Sequence, residues 1–146
     1  MKTALLKLFD LQLTKLSTEI SLYADEDALW KSTSSVPNSG GNLCLHLIGN
    51  LNHFIGATLG NSGYIRHRDD EFSLKGIAIK QLKAQIESTK QVIKKTIESL
   101  NDTDFDKTYP ITVFGTEMTT TYFLIHLTGH LNYHLGQLNY HRRLIC

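Results

Sequence analysis

Apolar residues recur at helical spacing in four long segments of this chain, separated by clusters of polar, glycine and proline residues. The first segment, from about Thr3 to Tyr23, sets Leu5, Leu8, Phe9, Leu13, Leu16 and Ile20 on one face. Lys31 to Gly41, with Pro37, Asn38 and a glycine pair, reads as a loop and a helix start. The second helix runs from about Asn42 to Leu59 and stops at Gly60-Asn61-Ser62-Gly63. Gly60 to Ser73 is polar and irregular, a loop long enough to be functional or mobile. The third helix, from about Leu74 to Leu100, places Leu82, Ile86, Val92, Ile93 and Ile97 on one side. Lys, Gln and Glu cover its other side, which marks it as the most solvated of the four.

Asn101-Asp102-Thr103-Asp104 then signals a stop and a turn. Thr108 to Phe114 alternates as a strand does, and Gly115 suits a turn, so a short hairpin or an extended crossover is expected. The fourth helix runs from about Met118 to Leu144. Four amphipathic helices in 146 residues predict an all-α fold: a four-helix bundle with a long crossover, as one domain spanning residues 1–146.

Composition narrows the partners. Fifteen basic residues against fourteen acidic ones leave a net charge of +1, so neither nucleic acid nor an acidic membrane surface is expected as a partner. No stretch approaches the roughly 18 uncharged apolar residues of a membrane span. Lys7, Asp10 and Lys15 interrupt the apolar N-terminal run, which is amphipathic and not a secretory signal. The expectation is a soluble, cytoplasmic protein. Cys44, in an apolar helical run, and Cys146, at the chain end, form no metal-binding spacing and read as a buried and a frayed free thiol.

The chemistry lies in the fourth helix. At about 100° per residue, His126, His130, His134, Gln137 and His141 fall within an arc of about 80°. Leu127, Leu131, Leu135 and Leu138 flank that arc on one side, and Tyr122, Tyr133 and Tyr140 on the other. The far face, with Thr121, Thr128, Gly129, Asn132, Gly136, Asn139 and Arg143, is expected to meet solvent or another subunit. In the second helix His46, Asn50 and His53 form a polar line through surroundings that are apolar almost all round. A buried polar line needs partners.

Two histidines four residues apart can bind one ion from a single turn, with a third supplied by a facing helix. Neutral imidazoles suit zinc, nickel, copper or iron. No Asp or Glu shares either histidine face, which disfavours a carboxylate-bridged di-iron site, and no general base is identifiable. The competing reading is a network of His, Asn and Tyr hydrogen bonds that holds the helices in register.

Leu45-His46-Leu47-Ile48-Gly49-Asn50 and His130-Leu131-Asn132-Tyr133-His134-Leu135-Gly136-Gln137 resemble the DinB-like superfamily. Its pattern is a histidine in an HLxGN-like second helix and HxxxHxGQ in the last. The resemblance covers nearly the whole chain and implies metal ligands at His46, His130 and His134. His126 is the alternate ligand, in a triad of His46, His126 and His130, because His126 and His134 lie about 12 Å apart along the helix. The resemblance further implies a divalent transition metal (zinc, nickel or iron), a small-molecule substrate such as a low-molecular-weight thiol, transferase or hydrolase chemistry, and a homodimer. The alternative is a non-catalytic metal- or small-ligand-binding protein of the stress response. Asn50, His53, Tyr133 and Gln137 are candidates to orient the ligating imidazoles or to touch substrate. His67 is read as solvated, and its basic loop, Tyr64 to Arg68, as a candidate cap over a pocket for an anionic ligand.

Overall fold

A computed structural model describes residues 1–145; the expectation for Cys146 lies outside the described residues. The chain is all-α. Its long helices are α1 (Lys2–Ser21), α3 (Gly40–Leu51), α5 (Ile79–Ser99) and α6 (Thr120–Ile145). Two short helices, α2 (Glu26–Leu29) and α4 (Arg68–Ser73), lie in the connections. The periodicity of the sequence did not reveal either, because four to six residues are too few to establish a 3.6-residue repeat.

Each long helix buries one stripe. On α1 the stripe is Leu5, Phe9, Leu13, Leu16 and Ile20, all buried. Leu8, expected with them, is 42% exposed; it stands one residue, or about 100°, from the line through Phe9 and Leu13. α1 packs on α5 and α6, and α3 packs on the same two helices. All twelve residues of α3 are buried. This agrees with its apolar composition on nearly every face and makes it the central element. Cys44, at its middle, is a free thiol whose pKa burial pushes up to about 12, so it is inert as a nucleophile.

Two irregularities prepare the site. α3 runs into a π-helical turn, Asn52–Ala57, where the Thr58 amide bonds the His53 carbonyl at 3.1 Å. Such wide turns rotate the residues that follow and recur at functional sites. The neighbouring Phe54 carbonyl accepts from Tyr109 Oη at 2.7 Å, tying the turn to the crossover.

The second irregularity is the start of α5, at Ile79 and not near Leu74. Leu74 and Ala78 are extended, and Glu26 Oε1 accepts from the Ile79 amide at 2.9 Å, so a carboxylate from α2 caps this helix.

The expected hairpin reduces to one antiparallel bridge between Thr108 and Thr119, following a 3₁₀ turn at Asp102–Asp106. No strand occurs among the described residues. The strand-like alternation is real, but Tyr109 is buried against Phe123 and the rest of the segment finds no second strand to pair with. Gly115 does take positive φ, 79°, as its turn requires.

The outer side of α6 is exposed at Gly129, Asn132, Gly136 and Arg143, as expected, but part of it packs on the chain. Thr128 is buried, and Asn139 and Arg142 both donate to the Glu19 carboxylate of α1, at 2.6 and 2.8 Å. Tyr122, Tyr133 and Tyr140 instead stand more than 60% exposed and do not enclose the histidines.

Candidate metal centre

His46 on α3 and His130 and His134 on α6 point their Nε2 atoms at one another. Nε2 of His130 lies 3.3 Å from that of His46 and 3.2 Å from that of His134. Among the described residues these three form the one group of imidazoles, thiols and carboxylates whose donor atoms converge, all within 4.8 Å. His126 is not in it. Its ring centroid is 6.2 Å from that of His130, and it packs parallel to Phe123 instead. The alternate triad with His126 is therefore not the one that the fold assembles.

The outer nitrogens determine what the inner ones present. Nδ1 of His46 donates to Glu71 Oε1 at 3.0 Å, and Nδ1 of His134 donates to Gln137 Oε1 at 2.7 Å. In the neutral form, with its proton on Nδ1, each ring turns an unprotonated Nε2 inward. His130 Nε2 faces both and can carry at most one proton, so at least one of the two contacts sets lone pair against lone pair. A cation removes that conflict. Ligands about 2.0–2.1 Å from a tetrahedral ion stand about 3.3–3.4 Å apart, close to the two separations from His130, and all three nitrogens lie within 4.8 Å of one another.

Electrostatics favours the neutral form of the two α6 rings, His130 and His134. Burial lowers the His130 pKa to about 4, reinforced by His134, His46, His126 and Arg66. Burial also lowers His134, with His46 adding to it, against the Gln137 hydrogen bond, which favours the charged form. Neutral imidazole is the form that ligates.

Glu71 is the residue that sequence reasoning missed. It is buried although it comes from the polar loop, on α4. Arg66 grips both of its oxygens, Nε to Oε2 and Nη2 to Oε1, each at 2.9 Å. Burial would raise this carboxyl, but the hydrogen bonds from His46 and Arg66 and the arginine charge outweigh it and hold it below the ordinary carboxylate range. The sequence shows Asp69, Asp70 and Glu71 side by side in a loop and offers no means of choosing among them.

The choice is made by α3. Asn42 Nδ2 donates to the carbonyls of Glu71 and Leu74, at 3.0 and 2.9 Å, which holds α4 against the helix. Gly49, one turn past His46, leaves the space that the Glu71 carboxylate occupies; a methyl group there would collide with it.

The other expected contacts divide. Asn50 is buried and lines the cavity beside the cluster, and its Oδ1 has no hydrogen-bond partner. His130 Nδ1 is likewise buried and unpartnered. Gln137 touches His134, as above, and donates from Nε2 to Tyr133 Oη at 3.3 Å, so Tyr133 acts at one remove from the cluster. His53 lies against Phe54 and is not among the cavity-lining residues. His67 is exposed, as expected; it and Tyr64 line a different hollow, whereas Arg66 and Arg68 of the same loop reach the cavity.

His141, the last of the histidine stripe, belongs to a separate contact. It is 2% exposed, its Nε2 donates to the Lys31 carbonyl at 2.8 Å, and its Nδ1 meets Tyr23 Oη at 2.7 Å. No helix is long and apolar enough to cross a membrane among the described residues.

No curated protein matches the chain. Residues 7–146 match the family model described as a protein of unknown function, DUF1572, and with all but six residues covered the chain belongs to that family.

Proposed function

We propose that this protein holds one divalent transition-metal ion, zinc, nickel or iron, through Nε2 of His46, His130 and His134, and acts there on a small molecule. The observation that carries this reading is the convergence of three imidazole nitrogens from two helices, with the Nδ1 atoms of His46 and His134 held outward by Glu71 and Gln137. A DinB-like four-helix bundle is the scaffold we infer, supported by the packing of α1 and α3 on α5 and α6.

Three protein ligands leave coordination positions free for exchangeable ligands, and such an ion supplies Lewis acidity that lowers the pKa of water or of a thiol. The chain's own residues do the rest. Glu71, held by Arg66, keeps the proton of His46 on Nδ1 and orients the ring. Gln137 does the same for His134. Phenylalanines give the adjoining cavity an apolar wall. His126 lines the same cavity and forms no hydrogen bond with a described residue, so it is free to accept or donate a proton.

We read the reaction as transfer of a low-molecular-weight thiol or as hydrolysis. One observation favours the alternative, a non-catalytic metal- or small-ligand-binding protein: both Glu71 oxygens are engaged by His46 and Arg66, which leaves no carboxylate free as a base. Assembly as a homodimer belongs to the same proposal. Ile125, Tyr122 and Tyr140 expose apolar surface along α6, and a monomer by light scattering at micromolar concentration would remove it.

Elemental analysis of the purified protein, beside His46→Ala and His134→Ala, tests the reading. About one equivalent of metal in the wild type and little in either variant is expected for a site shared between helices. Wild-type protein that takes up no metal on reconstitution would leave the histidines as core polarity.

A further inference from the structure

The histidine cluster opens into a cavity of about 430 Å³. Its apolar wall is assembled from distant parts of the chain: Phe54 from the π-helical turn, Phe72 from α4, Phe114 from the crossover and Phe123 from α6. Phe54 and Phe114 both meet Phe123 edge to face, with centroids 5.1 and 6.1 Å away. His126 extends the wall, parallel to Phe123 and edge-on to Phe114. Such a surface presents flat faces and ring edges to a planar apolar group.

The charge in this cavity is one-sided. No Asp or Glu lines it, and two arginines do. Arg66 is neutralised by its two hydrogen bonds to Glu71. Arg68 forms no ion pair with any described residue; its guanidinium lies 5.3 Å from the centre of the Phe72 ring. An unengaged planar fork at the rim of an acid-free aromatic cavity matches one carboxylate. A phosphate ordinarily draws a second cation, and no other arginine or lysine lines this cavity.

We propose that the cavity takes a small carboxylate with a flat apolar body, the carboxylate on Arg68 and the body against Phe54, Phe72, Phe114 and Phe123. This deepens the metal-centre reading and rests on it for which end of the molecule reacts. Binding itself requires Arg68 and the aromatic wall.

The test is a calorimetric titration of zinc-reconstituted and chelator-treated protein with phenylacetate, phenylacetamide and acetate. Phenylacetate is expected to bind both preparations, roughly tenfold or more tightly than the uncharged amide or the ring-free acetate. Arg68→Gln is expected to abolish the preference over the amide with metal content unchanged, and Phe114→Ala to reduce the preference over acetate. Acetate binding as well as phenylacetate, and only to the zinc-loaded form, would put the anion on the metal and overturn the proposal. Failure of phenylacetate to bind either preparation, with one equivalent of metal retained, would overturn it and leave the metal centre standing. Binding through Arg68 in a wild type that takes up no metal would support the cavity and overturn the metal centre instead.

Discussion

Nδ1 of His46 and Oε1 of Glu71 lie 3.0 Å apart, and this contact joins the central helix to the loop that follows it. Arg66 stands behind the carboxylate and keeps it ionised, so the order arginine, carboxylate, imidazole runs inward to the convergent nitrogens. Glu71→Gln should keep a hydrogen bond but lose the charge, and should weaken metal binding about tenfold to a hundredfold. Competition with a chelator measures it; an unchanged affinity would reduce Glu71 to a packing residue. Gly49→Ala should weaken binding in the same direction, because its methyl group would displace the Glu71 carboxylate.

The two candidate triads differ in one residue and are separated by one comparison. His126→Ala should retain about one equivalent of metal while His134→Ala loses it, since His134 and not His126 lies among the convergent nitrogens. The reverse pattern by elemental analysis would restore the alternate triad.

Without metal, the protein should lose stability as the solution is acidified. The unfolded chain protonates His130 near its ordinary value of 6.5, whereas the folded chain resists until about 4. Between those values the unfolded state binds more protons, so stability falls as pH drops from about 6.5 towards 4. Glu71 acts in the same direction at lower pH: its depressed pKa contributes stability above the ordinary carboxylate value, lost as pH falls through the folded one. Urea midpoints of chelator-treated protein at about pH 7 and about pH 4.5 should show the decline. His130→Leu should make it shallower, with the lowered His134 contributing to what remains, and an equal slope in that variant would show that His130 does not cause it.

His141 should matter to stability and not to metal. His141→Leu removes one partner of the buried Tyr23 hydroxyl, which also donates to the Leu138 carbonyl, and the donor to the Lys31 carbonyl, at a cost of about 1–3 kcal/mol. Denaturant unfolding gives the loss. Metal content should be unchanged, and a fall in it would tie this contact to the centre.

Asn50 Oδ1 and His130 Nδ1 are both buried, both without a partner, and on residues lining the same cavity. With metal on Nε2, the His130 Nδ1 would carry a proton that needs an acceptor, and Asn50 Oδ1 is an unpartnered acceptor on a residue lining the same cavity. Asn50→Leu should then weaken metal binding by up to about tenfold, less than loss of a ligand would. Calorimetry of zinc binding checks it, and an affinity equal to that of the wild type would leave Asn50 outside the centre.

Much of this protein is readable from periodicity, because a helix repeats on a scale set by its own backbone geometry. The buried stripe of α1, the all-round burial of α3 and the break at Gly60 to Gly63 follow from spacing alone. So does the histidine arc of α6, since residues four apart share a face whatever surrounds the helix. What spacing could not supply is anything that depends on which distant residues meet. Leu8 and Leu13 are equally apolar and stand at different angles on α1, and the neighbouring helices decide how far round that face burial extends. His126 and His134 are equivalent about His130 along α6, and the meeting of α3 with α6 selects His134. Glu71 and Arg66 lie in a loop without a repeat, and the carboxylate reaches His46 only because Asn42 fastens α4 to α3 and Gly49 leaves it room. Chain-local geometry thus determined the helices and placed histidines on their faces. Long-range packing decided which imidazoles converge, which carboxylate supports them and which cavity they open into, because those contacts join residues that are far apart in the chain.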